Sequence, residues 1–259
     1  MATRKSGKKK PSGKRKNRTV ANRSRLPFFR RSWWGLGIRF ALAFSGAVFL
    51  IPALLLLLYK VEVVRPVSTL MIKESIAGSG ARREWVEFED IAPVLYQSVM
   101  MSEDGQFCSH DGIDWGALNQ VIDDAIEGER TRGASTITMQ LVKNLFLWPD
   151  RSFIRKGLEI PYAMMAESIL GKKRIMEIYL NVAEWDEGVF GIGSASKHYF
   201  NRPAAKLGPR FSSLLAVTLP NPKGRNPAKP TRRMNALSRT IQARARASGA
   251  YIKCLVETK

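Results

Sequence analysis

The strongest apolar pattern lies near the start of the chain. From Phe40 to Tyr59 run 20 residues without a charge, FALAFSGAVFLIPALLLLLY. As a helix they span about 30 Å, the hydrocarbon thickness of a bilayer. Trp33 and Trp34 flank one end and Tyr59 closes the other, as interfacial anchors do. Pro52 is better tolerated in a membrane helix than in a soluble one. A cleaved signal peptide has a shorter apolar stretch and a small-residue cleavage site, and none follows Leu58. A buried core helix does not normally follow a long polar, basic lead. The pattern therefore predicts one membrane-spanning helix within 33–59, behind a low-complexity segment, 1–32, expected to be disordered.

Beyond the span, residues 60–80 read as a linker or entry strand. VEVVRPV alternates and is rich in β-branched residues, and GSG at 78–80 is a break. Residues 81–259 read as one mainly helical domain with no internal repeat and no strand series long enough for a large sheet. Asp90 is a suitable N-cap for Ile91, Val94, Leu95, Ser98 and Val99, and that helix ends near Ser102, leaving Glu103 at its C-terminus. Ser135 or Thr136 caps a second helix, with Ile137, Leu141 and Leu145 on one face and Thr136, Gln140 and Lys143 on the other. A third starts near Ser152. Its apolar stripe is Leu158, Tyr162, Met165 and Ile169; Arg155 and Glu159 sit one turn apart on another face, and Pro161 must kink or restart it. A fourth turns Ile175, Ile178, Tyr179 and Val182 inward. Ser212 or Ser213 caps a last short apolar run stopped at Pro220.

Composition changes this picture less than it first suggests. The 259 residues carry 42 Lys+Arg against 22 Asp+Glu, a net charge of +20. That balance fits a nucleic-acid binder or a protein on an anionic membrane. Its distribution decides. Residues 1–39 hold 14 basic residues and no acid, and residues 221–259 hold 10 basic residues and one acid, Glu257. The stretch between, 40–220, is slightly acidic, so no nucleic-acid partner is expected. The basic N-terminal block predicts a cytoplasmic N-terminus by the positive-inside rule, with everything after Lys60 outside the plasma (inner) membrane, periplasmic or extracytoplasmic. Two cysteines and two histidines leave little room for a metal cluster. Cys108 and Cys254 could pair outside the cell, but spacing does not decide it, and two unlinked thiols are the expectation.

The chemistry concentrates in EDGQFCSHDGID, residues 103–114, with four acids and His110. Glu103, beside Asp104 and at the negative end of a helix, is expected to have a raised pKa, as a general base for a hydroxyl needs. A merely solvated acidic loop fits the composition equally well. Lys143, Arg151, Arg155 and Lys156 could converge as a phosphate clamp, or be surface charges. Glu159 reads either as Arg155's ion-pair partner or as a second catalytic carboxylate. His110 reads as a structural hydrogen-bonder. Gly191-x-Gly193 lacks a preceding strand and reads as a turn.

At these residues the chain resembles the peptidoglycan glycosyltransferases, and more narrowly the monofunctional biosynthetic peptidoglycan transglycosylases. The first family motif, E-D-x-x-F-x-x-H-x-G-x-D, is met at Glu103, Asp104, Phe107, His110, Gly112 and Asp114. GASTITMQLVKNLFL (133–147), Arg155-Lys156-x-x-Glu159, KRIMEIYLNVAEWDEGVFG (173–191) and LPNPKGRNP (219–227) meet the other four, in order. The short stretch after the fifth motif is too small for a transpeptidase domain.

The resemblance implies a lysozyme-like, two-lobed helical domain behind a single transmembrane helix. It implies an inverting transfer that polymerises lipid II into β-1,4-linked glycan strands, with Glu103 as base. Lys143 and Arg151 would hold the donor's phosphates and Glu159 would organise that site or assist departure. Ser135, Thr136, Gln140, Arg155 and Lys156 would be donor-site neighbours. Partners would be lipid II, the growing lipid-linked glycan, the membrane and other wall-synthesis proteins. No cofactor is required, though family members use a divalent cation in some cases, and no metal ligand set is expected. Met139 stands where the family often has glutamine, and Pro161 intrudes on the third motif's helix. Residues 115–132 would be a membrane-touching jaw, here with four acids. The competing readings are a lysozyme-like enzyme that cleaves the same polymer and a non-enzymatic anchored scaffold.

Overall fold

A computed structural model describes residues 28–78, 80–129, 133–150 and 152–256, with side chains from Gly35 onward. The basic lead 1–27, the side chains of Trp33 and Trp34, and Arg151 lie outside the described residues. The chain divides into two compact units, Met1–Ser45 and Gly46–Lys259, at a point inside the first helix. That helix, α1 (Phe28–Tyr59), contains the segment Gly35–Tyr59, long and apolar enough to cross a membrane.

The second unit is mainly helical, as expected. Its elements are α2 (Thr69–Ile76), α3 (Pro93–Glu103), α4 (Trp115–Ile126), α5 (Ile137–Phe146), α6 (Phe153–Leu170), α7 (Lys172–Val182), α8 (Ile192–Phe200), α9 (Pro209–Thr218), α10 (Arg232–Arg246) and α11 (Lys253–Val256). Helix α3 packs on α9 and α10, and α5 packs on α6 and α7. Side-chain caps set several starts: Ser68, Asp114, Thr136, Ser152 and Thr231 each accept a backbone N–H from the first turn of their helix. Helix α4 buries none of its residues and exposes Trp115, Ile122 and Ile126.

A small sheet, ordered β1-β3-β2, closes the unit. β1 (Arg82–Arg83) runs parallel to β3 (Val189–Phe190), which pairs antiparallel with β2 (Glu184–Asp186). So a short strand does precede Gly191-x-Gly193. Both glycines are there for close approach: a Cβ on Gly191 would meet the Asn181 carbonyl at 2.8 Å, and one on Gly193 the Glu84 carbonyl at 2.6 Å.

Several local expectations fail for physical reasons. The alternating VEVVRPV forms no strand, because β3 pairs instead with Arg82–Arg83; the turn there leads into α2, inside the expected linker. Asp90 does not cap α3; Ala92 precedes Pro93, whose missing N–H suits the first helical position. Ser212 and Ser213 are buried inside α9, which starts at Pro209 after Gly208. Pro161 neither ends nor restarts α6, which runs unbroken from Phe153 to Leu170. Cys108 and Cys254 are joined in a disulfide, because α11 folds back onto the turn at Phe107–Ser109.

Candidate active site

Glu103 is the last residue of α3, half-buried, with Asp104 as the C-cap. Its carboxylate accepts from the Ser102 hydroxyl at 3.2 Å and from Gln140 Nε2 at 3.2 Å. The Tyr179 hydroxyl, fully buried, donates to Gln140 Oε1 at 2.9 Å and so orients the amide. Burial pushes the Glu103 pKa up; the Gln140 and Ser102 hydrogen bonds and the charge of Arg225 oppose it, and Asp104 adds a smaller push upward. The raised pKa was expected, but its main cause is desolvation, not the neighbouring Asp104.

Asp104 has a separate task. Its buried carboxylate accepts the Ile137 backbone N–H at 3.0 Å, at the start of α5, and lies 3.0 Å from His110 Nε2. It thereby fixes the start of α5 beside Glu103, and His110 is the structural partner expected. Gly112 (φ +89°) lets this loop press against α6: a Cβ there would lie 2.9 Å from the Ala163 carbonyl.

Helix α5 presents Gln140 and Lys143 one turn apart on its open face. They border a cavity of about 260 Å³, shared with Asn144, Tyr179, Glu184 and Pro220. Among the described residues the Lys143 ammonium group has no hydrogen-bond or ion-pair partner. Burial lowers its pKa; Glu159 and Glu103 pull it back up, while Arg155 and Lys156 lower it further. Thr136 is not at this face. Its buried hydroxyl accepts from Met139 N and donates to the Gly112 carbonyl at 2.6 Å, so it is the α5 cap. Met139 is also buried, on the core side of α5, and removes no polar contact from the site.

Helix α6 carries the other charges. Arg155 and Glu159 are buried, contrary to the expected stripe: the inward face is Arg155, Glu159, Tyr162, Ala163, Ala166 and Leu170. Leu158, Met165 and Ile169 are only partly covered. Glu159, 2% exposed, has one oxygen on the Arg155 guanidinium and the other on Lys156 Nζ at 2.7 Å. Lys156 also donates to the Ser135 hydroxyl at 2.7 Å, and Arg155 Nε to the Asp150 carbonyl at 2.8 Å. Sequence reasoning thus placed Glu103, Gln140, Lys143, Ser135, Arg155, Lys156 and Glu159 together, while Thr136 is a cap. It missed Tyr179, whose hydroxyl is hidden in an apolar stripe, and Arg225, whose charge acts on Glu103.

The transglycosylase family model matches residues 70–246, which include every described element of this site. A biosynthetic peptidoglycan transglycosylase of Brucella suis biovar 1 (strain 1330) is 58% identical over 222 residues, 86% of this chain and 99% of that protein. Proteins of the same name from Rhizobium meliloti (strain 1021) and Agrobacterium fabrum (strain C58 / ATCC 33970) are 56% and 54% identical. Each match covers 82% of this chain, and 89% and 93% of those proteins. The chain belongs to the transglycosylase family.

Proposed function

We propose that this chain is a peptidoglycan glycosyltransferase that polymerises lipid II by inverting transfer. The observation that carries the reading is a half-buried carboxylate of raised pKa, Glu103, and a half-buried cation without a side-chain partner among the described residues, Lys143, on either side of Gln140. Glu103 takes the proton from the acceptor sugar's 4-hydroxyl. That oxygen bonds to the donor's anomeric carbon from the face opposite the diphosphate. The C–O bond to the diphosphate breaks, and its electron pair leaves on undecaprenyl diphosphate. Lys143, joined by Arg151, meets the phosphate charge. The diphosphate is already an activated leaving group, so no cofactor is required.

Glu159 supports transfer over hydrolysis. A glycoside hydrolase needs two working carboxyl groups. Both Glu159 oxygens are held by cations, which suits an organiser of the phosphate site and not a proton donor. Phe153, 99% exposed, and Ile154 stand beside this cluster, as contact with a lipid-borne substrate needs. In this reading α1 anchors the chain with its basic end in the cytoplasm, and the disulfide fits a catalytic domain on the oxidising side.

The test is incubation of the purified full chain with labelled lipid II, beside Glu103→Gln. Polymer from the wild type alone supports the reading. Shortening of preformed glycan would establish a cleaving enzyme, and a Glu103→Gln chain that still complements a deletion strain would establish a scaffold.

A further inference from the structure

Pro52 has no N–H, so the Val48 carbonyl one turn earlier in α1 loses its intrahelical donor. In a helix meant for hydrocarbon, an unpaired carbonyl is costly. The Tyr162 hydroxyl, on α6, donates to that carbonyl at 2.7 Å. Tyr162 is buried, and it lies one turn after Glu159 on the same inward face.

A second contact repeats the arrangement. Phe146 follows Lys143 by one turn on α5, and its ring stacks on Tyr59, the last residue of α1, at 6.4 Å. Phe146 also meets Tyr162 edge-on at 6.0 Å, and Phe49 of α1 meets Tyr162 edge-on at 5.9 Å. On the α1 side, Val48, Pro52, Leu56 and Tyr59 recur at helical spacing, with Pro52 and Leu56 buried. Arg174 of α7 then holds the exit of α1, donating to the Tyr59 carbonyl at 2.9 Å and the Val64 carbonyl at 2.6 Å. The two helices that bear Lys143 and Glu159 therefore each press an aromatic ring on the span, one turn from their charge.

We propose that Tyr162 is a positioning residue. Its hydroxyl latches α6 to the Pro52 break in α1, and so fixes where the Lys143 and Arg155–Lys156–Glu159 charges stand relative to the helix that shares the bilayer with a lipid-linked substrate. This rests on the proposed function for its substrate and on α1 as a span. The latch itself is a statement about two helices.

The experiment uses the full chain reconstituted in phospholipid vesicles. Tyr162→Phe removes only the hydroxyl. Pro52→Ala returns an N–H to residue 52, gives Val48 its own donor and makes the hydroxyl redundant. Tyr162→Phe is expected to lower kcat/KM on full-length lipid II by about tenfold, the scale of one lost buried hydrogen bond. The same substitution in the Pro52→Ala background should cost little, a non-additive pair. A short-chain, water-soluble analogue should be turned over by Tyr162→Phe at close to the wild-type rate, because the bilayer does not hold it in place relative to α1. Spin labels at Leu50 and Met164, 60% and 52% exposed, report the latch without activity. Their distance distribution should broaden in Tyr162→Phe and narrow again in the double variant. An unchanged distribution in Tyr162→Phe, or an equal activity loss in the Pro52→Ala background, overturns the latch. A wild type that makes no polymer overturns the functional reading instead, and the distance measurement still decides the latch.

Discussion

Glu103 and Glu159 are the two carboxylates of the proposed transfer site, yet their surroundings are opposite. Glu159 is buried with two cations on its two oxygens, and those cations are themselves tied to Ser135 and the Asp150 carbonyl. Among the described residues Glu103 accepts hydrogen bonds only from two neutral donors, and burial raises its pKa. One carboxylate has a cation on each oxygen, so it contributes to the fold. The other is left short of compensation, which is what a proton acceptor requires.

The largest effects should separate the two. Glu103→Gln is expected to reduce polymerisation at least about 10³-fold, on the scale of losing a general base. It should not unfold the protein. Because burial raises the folded pKa of Glu103, ionising it costs stability as the pH rises through that value, and glutamine carries no such cost. Its melting temperature at neutral pH should equal or exceed the wild type's. Glu159→Gln should do the reverse in stability: it leaves buried Arg155 without its anion, at a cost of about 3 kcal/mol by denaturant unfolding. A Glu103→Gln that melts early and a Glu159→Gln that does not would dissolve the contrast.

Lys143→Ala comes next. With no side-chain partner among the described residues, Lys143 is expected to contribute little to stability, and in the proposed reading its charge serves the substrate. Turnover should fall about 10²-fold, as for loss of one preorganised charge contact, with unfolding almost unchanged. Equal kinetics would remove Lys143 from the phosphate site.

The disulfide sharpens the comparison on the Glu103 side. Cys108 lies between Asp104 and His110, and Cys254 ties that turn to α11 across 146 residues of chain. Removing it with Cys254→Ser should cost about 2–4 kcal/mol. Reductant should cause the same loss in the wild type, and no further loss in the variant.

Much of this was legible in the chain. The long apolar helix, the C-terminal end of α3 at Glu103, the Thr136 cap, the start of α6 at Ser152 and the inward face of α7 all follow from apolar period and capping chemistry. The failures come from tertiary terms. A buried face made of Arg155 and Glu159 violates the rule that charge faces water, and only their mutual neutralisation permits it. VEVVRPV has strand composition but no partner edge. Tyr179 sits at an apolar helical position, and nothing local says that its hydroxyl reaches Gln140 on another helix. The Cys108–Cys254 link depends on where a distant four-residue helix lands.

The smallest effect tests the hydrogen bond that moderates Glu103. Gln140 donates to the carboxylate and holds its pKa below where burial alone would set it, and Tyr179 keeps Gln140 aimed. Gln140→Leu removes that donor, so the Glu103 pKa should climb further. A base works when deprotonated, so the acid limb of kcat/KM should move to higher pH, while the rate well above that limb changes less. Tyr179→Phe frees the amide without deleting it, so it should move the limb the same way by a smaller step. Arg225→Gln removes a charge that also lowers the Glu103 pKa and should act in the same direction. If Lys143 meets the phosphates as proposed, it sets the alkaline limb; Glu159 props its pKa up against burial, so Glu159→Gln should bring that limb down in pH. If the acid limb stays fixed through all three substitutions around Glu103, some other group sets it, and Glu103 is not the base.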